Sequence, residues 1–63
     1  MSWELYEVWS VDSDGHEELI DTTKSLKEAQ EIAGAALDEE DVSEVIIYKE
    51  TEDGDLEEIE RFN

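Results

Sequence analysis

The chain has 63 residues, of which 21 are acidic and only four are basic, and its net charge is −17. A chain this short forms a single domain, expected here over residues 1–63. With no cysteine, it has neither disulfides nor thiolate metal sites to support a small core. The charge repels nucleic acid and anionic membranes, which argues against direct binding to either.

Charge of this density is typical of disordered chains, but apolar residues recur in ordered patterns along almost the whole sequence. We therefore expect a folded domain. No apolar run approaches the roughly 18 residues needed to span a bilayer, and the chain turns acidic by Glu4, unlike a signal peptide. A soluble, cytoplasmic protein is the expectation.

A β-hairpin is predicted at the start of the chain. Aromatic and β-branched residues dominate residues 3–11 and alternate with polar ones over much of the segment, which favours a strand. The segment DSDG at residues 12–15 is typical of a turn, because Gly15 can adopt a positive φ at little cost. A second strand is predicted over residues 17–22.

A helix is predicted from Ser25 to about Asp38. Ser25 and Glu28 match a capping box, in which each side chain bonds the backbone amide of the other residue. Gly34 weakens this helix or marks a close contact. The acidic run at residues 38–41 opposes the helix macrodipole, a local conflict that the sequence does not explain. Six residues fall on one apolar face: Leu26, Ala29, Ile32, Ala33, Ala36 and Leu37.

A second hairpin is predicted at the end of the chain. Its strands cover residues 44–51 and 56–62, and Asp53 and Gly54 favour a two-residue type I′ turn between them. That turn places opposite-charge and apolar pairs across the hairpin. The expected pairs are Thr51 with Leu56, Lys49 with Glu58, Tyr48 with Ile59, and Val45 with Phe62.

These elements predict an α+β fold with the order ββαββ, in which one helix packs on one face of a four-stranded sheet. Two strand orders are compatible with the pattern, a meander and a β-grasp arrangement.

Both faces of the predicted sheet carry apolar side chains, whereas a single helix covers only one face. A homodimer that forms through the uncovered face, or through a sheet edge, would account for the apolar side chains that the helix leaves exposed. The alternative is that these side chains are isolated among acids and need no partner. The residues expected at the interface are Tyr6, Val8, Ile20, Ile46 and Tyr48.

No residue pattern predicts catalysis, a cofactor or a dedicated metal site. The two Asp-Gly segments lack the length and ligand spacing of a calcium loop, and turn chemistry accounts for them. His16, the only histidine, sits at a hairpin tip with no oxyanion site, so we do not expect it to be catalytic. We expect no enzymatic activity.

Two explanations for the charge compete. In a halophilic protein, surface carboxylates maintain hydration in molar salt, where a Debye length of about 3 Å screens their repulsion. Alternatively, the carboxylates imitate phosphates and let the chain inhibit a DNA- or RNA-binding protein by occupying its basic groove. Acids spread over every segment favour the first explanation. A third possibility is an acidic module that binds some other basic protein partner.

Crowding of acidic side chains is also expected to raise the pKa values of some carboxyl groups, because like charges repel.

The segment LIDTTKSLKEA at residues 19–29, and EVIIY at residues 44–48 before an Asp-Gly hairpin, carry a family resemblance. With its predicted elements in the order hairpin, helix, hairpin, the chain resembles short prokaryotic and phage domains of unknown function that pair two hairpins around one helix. The resemblance implies the ββαββ fold and brings no activity with it. The element order is also similar to that of immunoglobulin-binding β-grasp domains, but none of their motifs is present, so antibody binding is not expected.

Overall fold

The computed structural model describes residues 4–63 and confirms the α+β fold with element order ββαββ. Trp3, predicted to begin the first strand, lies outside the described residues. The elements are β1 (Leu5–Asp12), β2 (Glu17–Thr23), α1 (Leu26–Leu37), β3 (Val42–Glu50) and β4 (Leu56–Phe62).

The four strands form one sheet in the order β2-β1-β3-β4, and every neighbouring pair is antiparallel. This order is neither of the two expected from sequence, because β1 lies next to β3. β1 and β3, the strands that contribute buried apolar side chains, lie at the centre of the sheet. The more polar β2 and β4 form its edges. Since β1 runs antiparallel to both neighbours, β2 and β3 are parallel to each other, and α1 crosses over β1 to connect them.

The core lies between α1 and the two central strands. Val8, Val45 and Ile47 are fully buried there. Small side chains on the helix let its backbone approach the sheet closely, and Ala29 and Ala33 are completely covered. Ala36 and Tyr6 complete the buried cluster, and partly buried residues pack around it: Ile32, Leu37, Val42 and Phe62.

The turn of the second hairpin differs from the predicted type I′ turn. The amide of Gly54 donates to the carbonyl of Thr51 (3.0 Å), and the amide of Thr51 donates to the carbonyl of Asp55 (2.8 Å). A type I′ turn needs positive φ at both Asp53 and Gly54, whereas only glycines have positive φ within residues 4–63. The loop is a type I turn closed by Gly54 in the left-handed region, at φ 87°.

This longer loop changes the register of the hairpin by one residue near the turn. Tyr48 lies opposite Glu58 rather than Ile59, whereas Val45 lies opposite Phe62 as predicted. Ile59 is the extra residue that absorbs the shift, as a β-bulge in β4. Ile20 has the same role in β2, so each edge strand carries a bulge at an isoleucine.

The helix begins with half of the predicted capping box. Ser25 Oγ accepts a hydrogen bond from the amide of Glu28 (3.3 Å), but the Ser25 amide donates to Thr23 Oγ1 (3.2 Å) instead of to Glu28. At the other end, the amide of Asp38 donates to the carbonyl of Ala35 (3.2 Å). A Cβ at Gly34 would meet no atom within 4 Å, so this glycine marks no close contact.

Candidate functional site: the open sheet face

The five residues predicted to form an interface lie in three different places. Tyr6 and Val8 are 6% and 0% exposed, because they lie under the helix in the core. Ile20 lies beside α1 at the edge of the sheet. Only Ile46 and Tyr48 are on the face away from the helix, here called the open face. The prediction therefore needs correction: Tyr6 and Val8 cannot belong to a surface.

The register between the central strands explains this correction. Val8 lies opposite Ile47, so the even-numbered residues of β1 share a face with the odd-numbered residues of β3. Trp9 lies opposite Ile46 on the open face. The predicted alternation within each strand was sound, but it did not determine how the two strands align.

An aromatic cluster, consisting of Trp9, Ile46 and Tyr48, occupies the middle of the open face. The rings of Trp9 and Tyr48 meet edge to face, with centroids 6.5 Å apart and planes at 88°. Ile46 is only 3% exposed although it lies outside the helix-side core. Trp9 Nε1 donates to Glu7 Oε1 at 3.0 Å, which holds the indole over the face.

Acidic side chains surround this cluster. Strand register places five of them on the open face, and they are called the acidic rim: Glu7, Glu17, Glu44, Glu50 and Glu58. Arg61, opposite Ile46, pairs through Nη1 with Glu44 (2.9 Å) and through Nη2 with Glu58 (2.7 Å). Hydrogen bonding to Arg61 lowers the pKa of Glu58. Burial, with help from the charges of Glu17 and Glu58, raises the pKa of Tyr48.

Two leucines extend the apolar surface towards the sheet edges. Leu19 pairs with Trp9 on the β2 side and is 45% exposed, and Leu56 pairs with Glu50 on the β4 side and is 44% exposed. Neither was included in the predicted interface, and nor were Trp9 and Arg61. The large side chain of Trp9 indicates a core or interface position from sequence alone. The face of the sheet on which it lies could be assigned only from the strand pairing.

In the acid-rich first turn, a carboxylate accepts hydrogen bonds from the backbone of the turn itself. Asp12 Oδ1 accepts from the amides of Asp14 and His16, both at 2.9 Å, and these bonds lower the pKa of Asp12. His16 is exposed, with Nδ1 3.6 Å from Asp12 Oδ2. Over residues 4–63, no group of three or more His, Cys, Asp or Glu side chains is arranged to hold a metal ion.

A second ion pair lies where β1 begins. Glu4 accepts from the hydroxyl of Tyr6 (2.8 Å) and from Lys49 Nζ (3.1 Å), and these hydrogen bonds lower its pKa. The same contacts raise the pKa values of Tyr6 and Lys49. Crowding was expected to raise carboxyl pKa values, but at Glu4, Asp12 and Glu58 local donors outweigh it.

Comparisons with known proteins add no assignment. No protein-family model matches the chain, and neither a curated protein nor a solved structure gives a significant match. Within residues 4–63, no helix combines the length and apolar character needed to cross a membrane.

Proposed function

We propose that this chain is a non-catalytic acidic domain that remains hydrated in high salt and forms a homodimer there through its open face. The observation that carries the proposal is the aromatic cluster enclosed by the acidic rim. Large aromatic side chains at the centre with charged groups at the edge are the usual composition of a protein interface. Leu19 and Leu56 would enlarge the apolar area buried between two copies.

The acidic rim makes this association depend on salt. A two-fold dimer brings the five rim carboxylates of one copy close to those of the other. Among residues 4–63 of each copy, Arg61 is the one basic side chain that offsets them on this face. At low ionic strength these charges repel. In about 1 M salt the Debye length falls to about 3 Å, so the apolar contact prevails.

Association through a sheet edge is less well supported. The bulges at Ile20 and Ile59 interrupt the pairing pattern of both edge strands, and bulges at edges commonly protect proteins against edge-to-edge pairing. In β2 the amide of Thr22 also donates to Asp21 Oδ1 at 2.8 Å, which gives that group a partner within the chain.

A second candidate is an inhibitor that occupies the basic groove of a DNA- or RNA-binding protein. The acidic rim favours it, because Glu7 and Glu58 flank Tyr48 on three adjacent strands, about 4.8 Å from strand to strand. Such an array presents negative charge in rows, as a nucleic acid does. It ranks second because acids also cover the helix and both turns.

Sedimentation equilibrium in about 0.2 M and about 3 M KCl tests the dimer, since only the higher salt screens the rim. We expect a dimer at high salt and a monomer at low salt. The double variant Leu19→Asp/Leu56→Asp should stay monomeric in both. Leu26→Asp, which changes an exposed leucine on the helix, should dimerise like the unaltered chain.

A monomer at high micromolar concentration in the higher salt would contradict the dimer. Equal effects of the open-face and helix variants would show that another surface associates. Binding assays against nucleases and DNA-binding proteins, with duplex DNA as competitor, test the inhibitor. Salt-sensitive binding that duplex DNA displaces would favour it over the dimer.

A further inference from the structure

A groove runs along the helix side of the sheet, between the C-terminal half of α1 and edge strand β2. It forms because α1 packs over the central strands, while the bulge carries Ile20 out beside the helix. The groove has a volume of about 290 Å³ and opens to solvent. Its walls are Ile20, Ile32, Ala35, Ala36, Glu39 and Val42.

The groove is apolar along its length and negative at one end. Of the six residues that line the groove, only Glu39 is charged. Three more acidic residues adjoin it in the chain: Asp38, Glu40 and Asp41. The last turn of α1 contains no basic residue, although the carbonyls at a helix C-terminus carry partial negative charge. The acidic run that opposes the macrodipole therefore lies where the groove ends.

We propose that this groove binds an aliphatic side chain next to a lysine or arginine, presented by a short segment of a partner protein. Its volume lies near the lower limit of the roughly 300–1,000 Å³ typical of small-molecule pockets, and one or two aliphatic side chains would fill it. The neighbouring cation would meet Glu39 and the helix end. The partner thus supplies the positive charge that the last turn of α1 lacks.

A second copy of the chain is a poorer fit. The matching features in this chain are Leu26, which is exposed, and the flanking Lys24 and Lys27. Leu26 lies one turn from Gln30, whose side chain bonds Glu60 of β4, so it projects on the flank of α1 away from the groove. Copies that met through this contact would have to make it reciprocally, or else assemble head to tail into a ring or an open filament. This partner site is separate from the proposed open-face dimer.

An NMR titration with a defined probe tests the site. The probe is the capped pentapeptide Lys-Leu-Ile-Arg-Lys, used at the lowest salt in which the chain is folded. We expect saturable shifts at the methyl groups of Ile20, Ile32 and Val42 and none at the Trp9 indole. Peptides with serine replacing Leu-Ile, or glutamate replacing the cations, should not bind.

Matched variants distinguish peptide binding in the groove from non-specific attraction of the peptide to acidic side chains. Glu39→Gln should weaken binding roughly two- to five-fold, as for an exposed ion pair, whereas Glu52→Gln in the second turn should leave it unchanged. Ala35→Phe should fill the groove and abolish binding. Gln30→Phe, on the other flank of α1, should bind normally.

Three results would overturn the proposal. Equal losses for Glu39→Gln and Glu52→Gln would indicate non-specific attraction. Shifts centred on Trp9 would move the site to the open face. Groove-methyl shifts that depend on protein concentration without peptide, and that disappear in Leu26→Ser, would identify a second copy as the occupant. Sedimentation of the Leu19→Asp/Leu56→Asp variant reports on the dimer separately.

Discussion

Thr23, the last residue of β2, donates a hydrogen bond of 2.6 Å from Oγ1 to Glu28 Oε2 in the first turn of α1. The same oxygen accepts from the Ser25 amide, so Glu28 reaches the helix cap through Thr23 rather than directly. Thr23 is also the buried polar residue of the core boundary. Strand end and helix start are thereby joined through one hydroxyl.

Thr23→Val should therefore lower the free energy of unfolding by about 1–2 kcal/mol, because it removes a bond to a charged acceptor and leaves the Ser25 amide without its partner. Valine retains the shape and β-branching of threonine. Thr22→Val, one residue earlier and exposed, is the control and should be nearly neutral. Urea unfolding measures both, and equal midpoints would show that the hydroxyl does not stabilise the fold.

Stability should rise with ionic strength. With a net charge of −17, screening reduces the self-repulsion that opposes the compact state. Thermal unfolding in KCl from about 0.05 M to about 3 M measures the effect, as the Debye length falls from about 14 Å to below 3 Å. Sulfate is unsuitable because it strengthens apolar burial directly. An unchanged Tm would contradict both self-repulsion and halophilic solvation.

Stability should pass through a maximum on acidification. Protonation towards about pH 5 reduces net charge, which favours the folded state. The folded pKa values of Glu4, Asp12 and Glu58 are lowered, so their contribution is present above the unfolded value near 4 and is lost as pH falls through the folded values. Tm measured at fixed KCl from about pH 8 to about pH 2 should rise and then fall.

A matched variant tests whether the ion pair of Glu58 and Arg61 contributes to the decline in Tm at low pH. Arg61→Met removes the partner of Glu58 and should make the decline in Tm at low pH shallower. A Tm that decreases steadily from neutral pH would show that paired carboxylates outweigh the net charge throughout.

Two glycine substitutions should have opposite effects. Gly34→Ala should stabilise the chain by about 0.5–1 kcal/mol, because Gly34 is an exposed helical residue with space for a methyl group. Gly54→Ala should destabilise it by about 1–2 kcal/mol, since alanine is strained at a φ of 87°. Thermal unfolding of both variants is the measurement. Stabilisation by Gly54→Ala would contradict the assigned turn geometry, and destabilisation by Gly34→Ala would contradict the open space at that helix position.

Ile47 and Ile59 provide a test of where the core lies. Ile47→Ala should cost about 2–5 kcal/mol, a large share of the 5–15 kcal/mol that stabilises a typical domain, because Ile47 is fully buried. Ile59→Ala removes the same atoms from an exposed bulge and should cost under about 1 kcal/mol. Chemical unfolding in high salt compares them, and similar losses would place Ile59 in a buried interface.

Local signals predicted the elements well. The helix start at Ser25 and the turn glycines, Gly15 and Gly54, are recognisable because capping and positive φ depend on a few neighbouring residues. The loop type was wrong because an Asp-Gly pair suits both a two-residue turn and a three-residue loop. That difference of one residue altered the predicted pairs near the turn and left Val45 opposite Phe62.

Composition, periodicity and the local cap and turn signals were enough for the ββαββ order and the excess of charge. They also predicted the helix face except at Leu26, which was expected on that face but is 36% exposed. Tertiary structure decided the strand order and the alignment of β1 with β3, whose partners Val8 and Ile47 are far apart in the chain. A shift of one residue in such an alignment moves every side chain to the opposite face. For this reason only the folded sheet shows that Tyr6 and Val8 are core, and that Trp9 joins Ile46 and Tyr48 on the open face.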